Sequence, residues 1–240
     1  MDFLNAIILI SNFIIVPAIT YGSQLALGAI GVTLIYGVLR FANFAYGDLM
    51  AFGTMIVILF TWFLQSKGIT FGLLPTAILA LPIGILFTIA ISLFFDKTVF
   101  EYYREKKSNP VTFIVVSLGI MFVLNAVVRI IIGPNDINFM DGHKFIMKAR
   151  EFKQLTGLNE GLAIKSTQVI TLVTTIITCS LLFYFLNKTK TGKSMRAYSD
   201  NEDLALLSGI DPKRVVMITW IIAGFLATVG GVLYLSLIHI

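Results

Sequence analysis

Residues able to do chemistry are few in this 240-residue chain. Its two histidines, His143 and His239, have no carboxylate partner at helical spacing, and its one cysteine, Cys179, lies inside an apolar run. These residues build no metal cluster, catalytic triad or disulfide framework. The run Asn187-Lys-Thr-Lys-Thr-Gly-Lys-Ser194 ends like a phosphate-binding loop. That loop needs a glycine where Asn187 stands and a strand before it, whereas an apolar helical segment precedes this one. The residues thus predict no nucleotide-hydrolysing site, no cofactor and no enzyme.

The same polar segment, Asn187–Arg214, carries a different signal. Ser199-Asp200-Asn-Glu202 has the spacing of a capping box, in which the Ser hydroxyl accepts the N–H of Glu202 and the carboxylate reaches back. A short helix is predicted over Asp200–Leu207, ended by Gly209 in a left-handed conformation. Asp211 then serves as N-cap and Pro212 as the first residue of a new helix. Leu204, Ala205 and Leu207 are assigned to one side of the short helix and need a partner to cover them. The acidic start, Asp200, Glu202 and Asp203, favours a protein groove over an anionic lipid surface.

The elements that must hold this segment are apolar. The chain is 57% hydrophobic and 13% charged, with a mean hydropathy of +0.90. Six stretches contain no Asp, Glu, Lys or Arg: Phe3–Leu39, Leu49–Ser66, Gly68–Phe95, Ser108–Val128, Ser166–Asn187 and Val215–Ile240. A water-soluble fold cannot leave such runs uncharged, because part of each element must meet water. Spans of about 20 apolar residues read as membrane helices, with backbone polar groups satisfied inside each segment. The short alternating strands of a β-barrel are missing. The net charge of +5 is read as flanking Lys and Arg facing lipid headgroups, not as a nucleic-acid surface. Met1-Asp2 is not basic and no small-residue cleavage site follows, so the start does not read as a cleaved signal.

The fold class is therefore all-α, a polytopic bundle of about seven transmembrane helices forming one domain over residues 1–240. As a single helix the first stretch would reach about 55 Å. Pro17 and Tyr21-Gly22-Ser23 are taken to divide it into Phe3–Thr20 and Ser23–Leu39. The other spans are Leu49–Gln65, Leu73–Phe95, Val111–Ile132 closed by Gly133-Pro134, Ser166–Leu186 and Val215–Leu237. With a cytoplasmic N-terminus, the inner loops hold more Lys and Arg than the outer ones, diluted by a basic outer loop, Gly133–Lys165. Small residues every four positions, Ala29-Thr33-Gly37 and Ala223-Ala227-Gly231, are expected at helix contacts. Span interiors lack ionisable residues apart from Arg129, which sits near a span end and can snorkel. That disfavours a proton-driven carrier.

Gly22-Ser-Gln-Leu-Ala-Leu-Gly-Ala-Ile-Gly-Val-Thr-Leu-Ile-Tyr-Gly37, followed by Asn43-Phe44-Ala45-Tyr46-Gly47, resembles the LivH-type permease family of branched-chain amino acid ABC transporters. Thr191-Gly192-Lys-Ser-Met-Arg-Ala197, Asp200 and Leu204-Ala-Leu-Leu-Ser-Gly-Ile210 are similar to that family's coupling loop. The resemblance implies an importer in a prokaryotic cytoplasmic membrane. Its partners would be a second permease subunit, two cytoplasmic ATP-binding subunits and an extracytoplasmic substrate-binding protein, all assembled on the lipid bilayer. Residues 187–214 would be the ATPase-coupling loop, with Gly192, Ala197, Ser199, Asp200, Glu202, Leu204, Ala205, Leu207, Gly209 and Ile210 as its residues. Gly133–Lys165 would help receive the binding protein. Residues Asn43–Gly47 would lie near the pathway or at a helix break. Tyr46 stands where the family has histidine, so an imidazole role is not expected. Family members continue past the last span, so the end at Leu235-Ser-Leu-Ile-His-Ile240 predicts a truncated permease. Urea and sugar permeases of related architecture, or a self-sufficient carrier or channel, remain the alternatives.

Overall fold

The computed structural model describes residues 2–69, 75–133, 145–156 and 160–238. His143, His239, Pro134 and the start of the predicted fourth span at Leu73 lie outside the described residues, as does most of the centre of the 133–165 loop. Six helices among the described residues are long and apolar enough to cross a membrane. The chain is a multi-pass helical membrane protein.

The first of them, α1, joins Asp2–Ile10, a π-turn at Ser11–Ile15 and Val16–Leu39 without a gap. The expected division into two spans is therefore corrected to one helix. The π-turn stands just before Pro17, and its wider spacing relieves the clash between the proline ring and the preceding turn. Gly22 has open space beside it, and Ser23 donates its hydroxyl to the Ile19 carbonyl at 2.7 Å, so neither breaks the helix. Joining the spans also moves the N-terminus. Backbone N–H groups of Glu160 and Ala163 donate to Asn5 and Asn12 at 3.4 and 3.3 Å, at the bundle end opposite residues 187–214. The expectation that the N-terminus shares a side with that segment is overturned.

The helices that follow are α2 (Tyr46–Ser66), α3 (Ala77–Glu105, with a π-turn at Asp96–Phe100) and α4 (Pro110–Ile132). A two-stranded antiparallel pair, β1 (Phe145–Met147) with β2 (Ile164–Lys165), flanks the short α5 (Ala149–Thr156). Next come α6 (Ser166–Lys188), α7 (Lys190–Asp200), α8 (Glu202–Leu207) and α9 (Pro212–Ile238). Helix α9 is the axis of the bundle, packed on α1, α2 and α3; α4 lies against α2, and α6 against α1.

Close backbone approach builds this centre. A side chain at Gly53 would meet the Thr88 and Thr228 hydroxyls at 2.6 and 2.7 Å, and one at Gly224 would meet the Ile89 backbone at 3.2 Å. Thr54, Thr88, Thr219 and Thr228 return their hydroxyls to the carbonyl one turn earlier, which leaves no unpaired donor at these contacts. Ala223, Ala227 and Gly231 are buried in α9. Ala29 and Thr33, in contrast, are exposed, and Gly37 is half-buried. The buried face of α1 is instead Gln24, Leu27, Gly31, Ile35 and Val38. Both stripes follow helical spacing of three or four residues, and packing against the neighbouring helices, α9 foremost, selects which one is covered. Gln24 makes the link, donating to the Leu233 carbonyl at 2.7 Å.

Candidate functional site

Two regions that the sequence singles out are brought into contact with the core. The first is the reversal between α1 and α2. Arg40 takes a left-handed conformation (φ 60°) and stops α1. Asn43 Oδ1 accepts the Ala45 N–H at 3.1 Å, an Asx turn, and the Phe44 N–H donates to Ser117 Oγ on α4 at 3.2 Å. The Phe44 and Ala45 N–H groups of this non-helical stretch are thus satisfied by side chains of the protein, as depth in a membrane demands. Phe41 packs on Phe113 and Phe100, each at 5.1 Å between centroids, and Phe100 stacks on Trp220 at 5.4 Å. Asp96 accepts from Trp220 Nε1 and from Arg104, both at 2.7 Å.

Tyr46 opens α2 and is buried. Its hydroxyl donates to the Ala223 carbonyl at 3.3 Å, and its ring tip fills the place a side chain at Gly31 would need. Tyr46 thereby locks α2 to α9 and α1, so its part here is packing and hydrogen bonding. Asn43 and Ala45 are buried too, whereas Phe44 and Gly47 are exposed.

Two residues on, Asp48 accepts the side-chain N–H of Asn125 on α4 at 2.8 Å. Asn125 is about 22 Å along α4 from Pro110 and about 10 Å from Ile132. The interior is therefore not free of carboxylates, contrary to the sequence expectation. Asp48 borders an apolar run in sequence, and only the re-entry of residues 41–46 carries it to that depth.

The second region is α7–α8. Ser199 is not an N-cap. Helix α7 runs through it to Asp200, and its hydroxyl donates to the Gly37 carbonyl on α1 at 2.7 Å. Arg40 donates to the Ser199 carbonyl. The cap of α8 is Asn201, whose Oδ1 accepts the Leu204 N–H at 3.0 Å. Glu202 instead accepts the Tyr198 hydroxyl at 2.8 Å. Burial, aided by that carboxylate, pushes the Tyr198 phenol well above its ordinary pKa and keeps it a donor. The capping-box expectation fails because two neighbouring residues can each cap, and a tertiary contact claims Ser199.

Gly209 ends α8 at φ 79°. The Ile210 N–H donates to Ala205 O and the Gly209 N–H to Leu206 O, both at 3.0 Å, the pair of bonds of a Schellman turn. Asp211 Oδ1 then accepts the Lys213 N–H at 3.0 Å and starts α9. Ala205 faces inward, buried with Val38, Met195, Tyr198 and Val215, and Ile210 packs on that cluster. Its expected place beside Leu204 and Leu207 is thus corrected: Leu204 is 61% exposed and Leu207 85%. Gly192 is buried where α7 turns under α6, since a side chain there would strike the Phe185 and Leu186 backbone. Ala197, Asp200, Glu202 and Asp203 are exposed. Sequence reasoning missed Arg40, Asn201 and Asp48; of these only Asn201, a capping residue beside an acidic first turn, left a local signal.

Comparison with known proteins fits this layout. A family model described as the permease component of the branched-chain amino acid transport system matches residues 14–240. The high-affinity branched-chain amino acid transport system permease protein LivH of Escherichia coli is 25% identical over 220 residues, covering 90% of this chain and 67% of the relative. LivH of Salmonella typhimurium is 24% identical over the same shares. The high-affinity branched-chain amino acid transport system permease protein BraD of Pseudomonas aeruginosa is 25% identical over 228 residues, covering 91% of this chain and 69% of the relative. No solved structure matches the chain.

Proposed function

The chain belongs to the permease component family of branched-chain amino acid transport systems, and on that premise we propose that it carries branched-chain amino acids through a prokaryotic cytoplasmic membrane as one subunit of an ABC-type importer. Separate subunits hydrolyse the ATP. A second permease subunit completes the pathway, and an extracytoplasmic binding protein delivers the substrate to the 133–165 side.

The observation that carries this reading is the pair of exposed leucines on α8. Leu204 and Leu207 stand out from a short helix whose acidic start, Glu202 and Asp203, makes it a poor ligand for anionic lipid. Both ends of that helix are tied to the core. Ser199 and Arg40 join the end of α7 to α1, and the turn Gly209–Asp211 leads into α9. Force on Leu204 and Leu207 would pass directly to α1 and α9. We assign residues 187–214 to the cytoplasmic side, where Lys188, Lys190, Lys193, Arg196, Lys213 and Arg214 agree with the inward bias of basic residues. The N-terminus then faces outward.

Leu207→Cys in a Cys179→Ser background tests the docking. In the assembled transporter a short bifunctional thiol reagent should link Cys at 207 to a cysteine placed in the ATPase groove, with a yield that changes on ATP binding. No link from any groove position would overturn the assignment.

A further inference from the structure

The Asp48 carboxylate has Asn125 as its bonded side-chain partner, and among the described residues no Lys or Arg forms an ion pair with it. Arg129, one turn further along α4, is exposed and is not paired to it. A charge at this depth is costly unless something answers it. The first turn of α2 supplies part of the answer, since Asp48 sits at its positive end. The remainder has access from outside the chain. Asp48 and Asn125 are each only half-buried, and neighbouring Gly47 has nothing within 4 Å of the place a side chain would occupy. Exposed apolar side chains stand on the same segments: Phe44, four residues before Asp48, is 52% exposed, and Phe122, three residues before Asn125 on α4, is 68% exposed.

We propose that Asp48, held by Asn125, is the subsite that reads the ammonium group of the transported amino acid on its way past α2 and α4, with the exposed phenylalanines meeting its apolar side chain. An amine cation supplies the charge that the site lacks, and it does so without a fixed basic residue that would trap the carboxylate. A merely structural link between α2 and α4 would need neither the exposed side nor a carboxylate, because an amide pair would serve as well. The proposal rests on the amino acid permease reading above.

The test uses the complete transporter in proteoliposomes, with radiolabelled leucine as the probe. Asp48→Asn should lower uptake at limiting leucine by tenfold or more, chiefly through KM, while Asp48→Glu keeps at least a third of it. Undiminished uptake by Asp48→Asn overturns the proposal. Should that variant fail to assemble, Asp48→Cys in the Cys179→Ser background decides. Modification by a membrane-impermeant cationic methanethiosulfonate, slowed by leucine, supports the subsite, and absence of modification from either side overturns it. Failure of the wild-type assembly to import leucine, with another solute imported instead, refutes the amino acid reading. The cysteine reaction repeated with that solute then says whether an open subsite exists at Asp48.

Discussion

Ser199 on α7 and Gly37 on α1, 162 positions apart in sequence, are joined by a hydroxyl-to-carbonyl hydrogen bond of 2.7 Å. With the neighbouring Arg40 donor it ties the end of α7 to the end of α1. Ser199→Ala removes one net hydrogen bond, about 1 kcal/mol. The expected outcome is a small fall in melting temperature and a several-fold drop in leucine moved per ATP hydrolysed. An unchanged transport-to-hydrolysis ratio would place the coupling elsewhere.

Gly209 lies at φ 79° with open space around it, so a substitution there is resisted by backbone strain alone. Gly209→Val should cost about 1 kcal/mol or more and uncouple hydrolysis from uptake, whereas Gly209→Asn should cost less. Comparing ATPase rate with uptake in the two variants separates strain from loss of a contact, because neither touches a neighbour.

The Tyr46 ring occupies the space that a Gly31 side chain would need. Gly31→Ala should therefore force the ring aside at about 1–3 kcal/mol. Tyr46→Phe, which gives up only the bond to Ala223, should lose about 0.6 kcal/mol, the mean for interhelical hydrogen bonds in a membrane. Thermal unfolding in detergent gives the order: wild type, Tyr46→Phe, Gly31→Ala. Equal melting of the last two would contradict the contact.

Trp220 Nε1 and Arg104 share one oxygen of Asp96 where the π-turn of α3 begins. Trp220→Phe keeps the stack on Phe100 but removes a donor from a largely buried carboxylate, at a cost of about 1–3 kcal/mol. Trp220→Phe with Asp96→Asn should cost less than the sum of the single changes. Strict additivity would show that the two side chains act independently.

Much of this architecture is legible in the sequence because lipid imposes a simple rule on length and charge. Helices α2, α4, α6 and α9 fall within a few residues of the uncharged runs. Gly209 and Asp211-Pro212 are legible as well, since a left-handed turn and an N-cap are decided by their own residues. Contacts between distant segments are not legible in that way. Pro17 predicts a break that the preceding π-turn absorbs, and this error alone reverses the side assigned to the N-terminus. Ser199 looks like a cap until Gly37 claims it. Ala29-Thr33-Gly37 and Gly31-Ile35-Val38 have similar claims to the helix contact until α9 covers one of them. Asp48 reads as a loop residue because its depth depends on how residues 41–46 fold back along α4.

The most direct test of the account is ATP-dependent uptake by the reconstituted transporter. Proteoliposomes holding this chain, its partner permease and the ATPase subunits, supplied with binding protein and ATP, should accumulate leucine against its gradient. Leu204→Lys with Leu207→Lys, a surface change expected to leave stability within about 0.5 kcal/mol, should abolish both uptake and retention of the ATPase. Accumulation by this chain without any ATPase subunit, or full uptake by the double-lysine variant, would contradict the account.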